Sequence, residues 1–131
     1  MSIKENQKIK AVVYRRVSSK EQEEEVYSLD AQAKIIDHYI SEMNFDVVET
    51  YEEAETAKAS GREQFNRMTK FLRKEAKSKK ENRCRIVLVE KTDRLYRNFR
   101  DYVELDPEEL DIEIHFVKEK KIISVSYTHL T

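Results

Sequence analysis

The chain's 131 residues match one ordinary domain and suffice for one hydrophobic core, so a second domain does not fit. Charged residues make up 39% of the sequence while the net charge is −1, which excludes the overall basic excess of a self-sufficient nucleic-acid binder and confines any phosphate affinity to a local patch. A single cysteine, Cys84, excludes a disulfide framework and a cysteine metal site.

The first predicted element is a strand over residues 9–17, with an apolar run from Ala11 to Tyr14. A helix follows over about 29–43. Ser28 stands at its N-cap, and Ile35, Ile36, Tyr39, Ile40 and Met43 recur on one face. Residues 45–51 read as a second strand. The next helix opens near Arg62, carries Phe65, Met68, Leu72 and Ala76 on one stripe, and runs into Lys77, Lys79 and Lys80, cations suited to a helix C-terminus. Residues 85–90 form a third strand. Asp93 is placed to cap a third helix reaching about residue 103 and broken before Pro107, after which Ile112, Ile114 and Phe116 alternate with Glu113 and His115 as a fourth strand. This alternation predicts an α/β fold: a mostly parallel central sheet of four or five strands with helices on both faces.

No apolar run approaches the length of a membrane span, and the first residues lack the apolar core of a signal peptide. With one thiol, a reducing, cytoplasmic setting fits best. Glu21, Glu23, Glu24 and Glu25 read as a solvated loop. Lys70, Arg73, Lys74, Lys77, Lys79 and Lys80 read equally as a phosphate-facing surface or as an ordinary wet lysine face.

Chemistry concentrates in two stretches, Tyr14-Arg15-Arg16-Val17-Ser18-Ser19 and Lys91-Thr92-Asp93-Arg94-Leu95-Tyr96-Arg97-Asn98, the first running off the end of the first strand and the second just past the third. In parallel α/β sheets the C-terminal ends of strands open into the ligand crevice, so a hydroxyl at Ser18 is exposed by topology. Taken alone, a serine there is a turn residue. Arg16 lies two residues earlier on the same face, so guanidinium and hydroxyl point the same way and one can hold a phosphate while the other attacks it. Asp93, Arg94 and Arg97 at a helix start would form an anion cradle, or else a cap followed by surface arginines. Arg62, after Ser60 and Gly61, opens the intervening helix at a third strand-end loop.

In order and spacing these residues resemble the catalytic domain of the serine recombinases, the resolvase and invertase family. That family's first strand ends in tyrosine, any residue, arginine, valine, serine, matched by Tyr14, Arg15, Arg16, Val17 and Ser18. Gln22 follows four residues after the serine, and Ser28, Leu29 and Gln32 match the opening of its first helix. Gly61 and Arg62 match the glycine-arginine before the second helix, Thr56 stands where many members carry serine, and Asp93, Arg94, Leu95 and Arg97 match the aspartate-arginine-leucine-any-arginine signature. The resemblance covers roughly residues 8–124. The interval from Gln22 to Ser28 is longer than in small resolvases and closer to large serine recombinases or transposon-borne relatives.

The resemblance implies Ser18 as the nucleophile of DNA strand cleavage and rejoining through a 5′-phosphoserine intermediate. It implies Arg16, Arg62, Arg94 and Arg97 as charge stabilisers, Asp93 as a group positioning the arginines, and Gln22, Gln32 and Thr56 as substrate-positioning residues, together with Tyr14, for which contact with the phosphate and simple packing are equal readings, with no cofactor and no metal. The implied partners are DNA and, in a full-length protein, further copies forming a dimer and tetramer. Residues 1–7 read as an extension, 8–123 as a C-terminally truncated catalytic domain, and 124–131 as an atypical tail that fits no family pattern and resembles a translated adapter. Without the family's long helix and DNA-binding domain, this chain is expected to be monomeric and to bind DNA weakly. The rival readings are a catalytically idle fragment and a flavodoxin-like module that recognises a partner or anion. A single glycine leaves that module no glycine-rich phosphate loop.

Overall fold

The computed structural model describes residues 8–18, 28–55, 62–78, 80–96 and 99–124. Its strands are β1 (Ile9–Ser18), β2 (Phe45–Glu55), β3 (Ile86–Val89), β4 (Glu113–Phe116) and β5 (Lys121–Ile123), and its helices are α1 (Ser28–Met43), α2 (Glu63–Ser78), α3 (Thr92–Leu95), α4 (Phe99–Glu104) and α5 (Pro107–Leu110). They form one sheet of order β2-β1-β3-β4-β5. The β1–β2, β1–β3 and β3–β4 pairs are parallel, and β5 is antiparallel to β4. The predicted mostly parallel α/β fold is therefore observed. Among the described residues, no helix is long and apolar enough to cross a membrane.

Alternation along β1 divides the core between the two faces. Ala11 and Val13 pack with Ile36 of α1 and with Phe45, Ile86 and Leu88, while Val12 and Tyr14 pack with Phe65, Met68 and Leu72 of α2 and with Val87 and Val89. Each helix thus packs apolar residues against its own side of the central strands, as a sheet buried on both faces requires. Of the α1 stripe, however, only Ile36 is fully buried, Tyr39 and Ile40 are partly so, and Met43, expected on the same stripe, is exposed. The second core also receives Leu95, Leu105, Leu110 and Ile112 from the segments after β3.

A bulge between Ala11 and Val12 in the β1–β2 ladder changes which residues of β2 face which side. Ala11 pairs with Val47 but Val12 pairs with Glu49, so Val48 is the extra residue. Val47 packs against the α1 side, whereas Tyr51 lies in the α2 core. The same parity therefore serves opposite faces on either side of the bulge.

Several elements depart from the sequence expectation, among them the antiparallel β5, where the sequence reading places no strand. β2 runs to Glu55, because the ladder continues through Arg16 opposite Glu53 and Ser18 opposite Glu55, and an edge strand tolerates charged residues. The helix expected from Asp93 to about residue 103 is instead two short ones, with Lys91 at the N-cap of α3 and an extended Tyr96 (φ −101°, ψ 129°) ending it. That break lets Leu95 fill the core while the Tyr96 ring packs 5.1 Å from Tyr102 and 6.3 Å from Phe116, so burial outweighs helical periodicity. Pro107 starts α5, where its missing N–H costs nothing, and the Asp106 carboxylate accepts from the Glu108 amide at 3.0 Å.

Candidate active site at the carboxyl edge of the sheet

Parallel β1, β2 and β3 end at the same edge, at Ser18, Glu55 and Val89, and α2 and α3 start there. Arg16 joins the two sequence motifs across this edge. Its Nη2 donates to the Asp93 carbonyl at 2.5 Å and its Nε to the Arg94 carbonyl at 3.3 Å, bridging 78 residues of chain. A four-residue helix leaves its final carbonyls without intrahelical partners, and Arg16 takes up two of this turn's carbonyls. The arginine beside the serine therefore fixes the turn that carries Arg94. On the other side, the buried Gln32 of α1 donates its Nε2 to the carbonyl of Arg16 at 3.1 Å, tying helix to strand at the same residue.

Tyr14, also buried, directs its hydroxyl to Glu53 Oε1 at 2.5 Å and presents its ring edge to Phe65 at 5.8 Å. Glu53 is 4% exposed and accepts two further bonds, from the Gln64 amide at 2.7 Å and the Phe65 amide at 3.1 Å. Those amides are orphan donors at the start of α2, and a carboxylate is favoured there by the helix dipole. Glu53 thereby locks the start of α2, and with it Arg62, against the strand that ends in Ser18. The Arg62 carbonyl accepts the first helical bond, from the Asn66 amide at 2.9 Å. Its guanidinium stacks 5.1 Å over the Phe65 ring, pairs with the buried Asp101, and meets Glu104 at 2.9 Å.

Arg94 is mostly buried and its Nε lies 3.6 Å from Glu90, itself shielded and 3.9 Å from Lys118 on its other oxygen. The turn is capped from the β4–β5 hairpin: Glu119 accepts from the Thr92 amide at 3.0 Å and the Thr92 hydroxyl at 2.6 Å. These bonds hold the Glu119 carboxyl below the ordinary glutamate range. The Asp93 side chain is 74% exposed, 4.0 Å from Lys91, so its carbonyl rather than its carboxylate meets Arg16. Burial, helped by Tyr102 and Asp106, pushes the Tyr96 phenol far above its usual range, making it a neutral anchor for the turn.

Arg16, Asp93 and Arg94 are thus brought together directly, Gln32 through the Arg16 backbone, and Tyr14 and Arg62 through Glu53. Ser18 ends β1 in register with Glu55, and its side chain lies outside the described part of the structure, as do Gln22, Thr56 and Arg97 and the expectation for the tail after Ser124. Of the histidines, His38 is exposed, while His115 is buried on the α1 side between Tyr39 at 2.7 Å and Glu113 at 3.0 Å. Sequence reasoning missed the acidic partners Glu53, Glu90, Asp101, Glu104 and Glu119. With 26 acidic residues spread along the chain, no local spacing marks these five as the partners.

The sequence model described as "Resolvase, N terminal domain" matches residues 11–129. The chain belongs to the resolvase family. A resolvase family site-specific recombinase from Streptococcus pneumoniae is 30% identical, with a TM-score of 0.70 over 88% of this chain and 76% of that one. The N-terminal catalytic domain of TP901-1 integrase is 27% identical, with a TM-score of 0.68 over 92% of this chain and 87% of that one. The C-terminal catalytic domain of ISC1926 TnpA, an IS607-like serine recombinase, is 26% identical, with a TM-score of 0.59 over 83% and 67%. No curated protein matches. Resolvase-family membership and these folds make the chain a catalytic domain of the site-specific recombinase type.

Proposed function

We propose that this domain, residues 8–123, cleaves and rejoins DNA through a covalent link to Ser18. The Ser18 oxygen attacks a backbone phosphorus, the bond from phosphorus to the 3′ oxygen breaks, and the proton lost by the serine is balanced by the one the leaving 3′ oxygen takes up. A phosphodiester replaces a phosphodiester, so the link stores the bond for rejoining to a new partner. The observation that carries this reading is Arg16, two residues from Ser18, bonded to the Asp93 and Arg94 carbonyls, because it sets a serine-bearing strand end and an arginine-bearing turn on one surface.

In this reading Arg62, Arg94 and Arg97 stabilise charge gathering on the phosphoryl oxygens, a task for which planar, permanently charged guanidinium groups are suited. Arg16 aligns the Arg94 turn, Tyr14 and Gln32 fix the strand end, and Gln22 and Thr56 position the DNA. Asp93 contributes its carbonyl to Arg16. DNA as substrate agrees with a cytoplasmic setting, and the full-length protein would act as a dimer and tetramer.

Incubation with nicked suicide duplexes tests the proposal. A covalent protein–DNA adduct should form, be absent in Ser18→Ala, and fall by at least roughly 10²–10³ in Arg94→Ala, the loss seen when one charge-stabilising donor is removed elsewhere. An adduct that persists in Ser18→Ala would refute the assignment.

A further inference from the structure

The environment of Arg62 holds more than an orientation device. Two carboxylates occupy the ends of its guanidinium, Asp101 at Nη1 and Glu104 at Nη2. They are unlike one another. Asp101 is 1% exposed and fixed in the interior, whereas Glu104 is 29% exposed and shares its other oxygen with Arg100, Nε to Oε1 at 3.2 Å, on the next turn of the same helix. Arg100 is itself 82% exposed.

Two carboxylates share the Arg62 guanidinium and Arg100 balances the second, so the cluster carries no net positive charge, and the Nη2 edge that a phosphate oxygen would need is taken. We infer that Glu104 is an exchangeable occupant of the phosphate position at Arg62, displaced when a DNA phosphate arrives, while Asp101 remains as the anchor that keeps the guanidinium aimed. This inference rests on Arg62 as a phosphate ligand. The exchange is inexpensive for a stated reason: a displaced Glu104 keeps the Arg100 cation it already contacts, so no carboxylate is stranded without a counter-charge. Asp101 cannot leave in the same way, since a buried carboxylate separated from its cation is strongly destabilising. Glu104 therefore screens the site from stray anions and yields to a ligand that brings a phosphate and further contacts.

The test is titration of the 131-residue chain with inorganic phosphate, followed by NMR at the side-chain nitrogens of Arg62. Glu104→Gln keeps the shape of the side chain and removes its charge. It should tighten phosphate binding about fivefold, the upper end of what a partly exposed ion pair contributes. Glu63→Gln, the same charge change on the exposed residue next to Arg62, should change it less than twofold. In Asp101→Asn combined with Glu104→Gln, the gain should vanish as the guanidinium loses its anchor. No change or weakening in Glu104→Gln, or an equal gain in Glu63→Gln, would overturn the inference, and a gain that survives Asp101→Asn would overturn the anchor. Because the titration does not involve Ser18, phosphate binding as expected without any DNA adduct would refute the cleavage chemistry alone. A Ser18 adduct together with an unresponsive Glu104→Gln would refute the exchange alone.

Discussion

Glu53 receives the Tyr14 hydroxyl at 2.5 Å across the β1–β2 pair, and the same carboxylate accepts the Gln64 and Phe65 amides that begin α2. One buried side chain therefore joins the strand ending in Ser18, the edge strand beside it and the helix preceded by Arg62. A stable sheet edge and a placed arginine are here the same structural fact.

Removing that carboxylate strands three donors in the interior. Glu53→Ala should destabilise the fold by roughly 3 kcal/mol or more, since bonds to a charged acceptor are worth about 1.5–3 kcal/mol each and do not add fully. Tyr14→Phe, which removes one donor, should cost about 1–2 kcal/mol. Urea unfolding of both variants measures this; equal losses would show that the amides at the start of α2 do not depend on Glu53.

Leu95 is the only member of the Asp93-Arg94-Leu95 stretch that enters the core, where it is fully buried. Leu95→Ala should cost about 2–5 kcal/mol, the range for deleting a buried leucine side chain. Thermal unfolding reads the loss, and hydrogen exchange at Arg94 and Tyr96 should rise more than in α1. Uniform protection would mean that the turn is held by its hydrogen bonds rather than by Leu95.

How much of this was legible beforehand follows from the residues themselves. Strands and the two long helices could be read because apolar periodicity is local: Phe65, Met68 and Leu72 fall on one face of α2 whatever surrounds them. The motif arginines were legible as chemistry but not as geometry. Arg16 reads as a phosphate ligand, and nothing in the sequence signals that two of its donors go to peptide carbonyls, a placement dictated by a turn 78 residues away. Glu53 was hidden for a different reason. It is one of several glutamates between Glu49 and Glu55, and its face is set by the bulge at Val48, a pairing irregularity with no signature in composition. The split of one expected helix into α3 and α4 likewise depends on Tyr96 finding Tyr102 and Phe116.

Glu119 supplies a pH dependence of known sign. Its folded carboxyl lies below the ordinary value because Thr92 donates to its ionised form, so its contribution is present above the unfolded value and lost as pH falls through the folded one. An NMR acid titration should place the Glu119 midpoint below that of a free glutamate. In Thr92→Val, which removes the hydroxyl donor, that midpoint should move back up; a midpoint that stays in place would show that the Thr92 hydroxyl is not the cause.

The central claim is that Ser18 carries the DNA link, and the most direct measurement is mass spectrometry of the proteolysed adduct from a nicked suicide duplex. The account predicts a nucleotide phosphate on the peptide containing Ser18, attached to the 5′ end of the cleaved strand, with a free 3′ hydroxyl on the other. A phosphate on Tyr14, Ser19 or Thr56, or a link to the 3′ end, would contradict it.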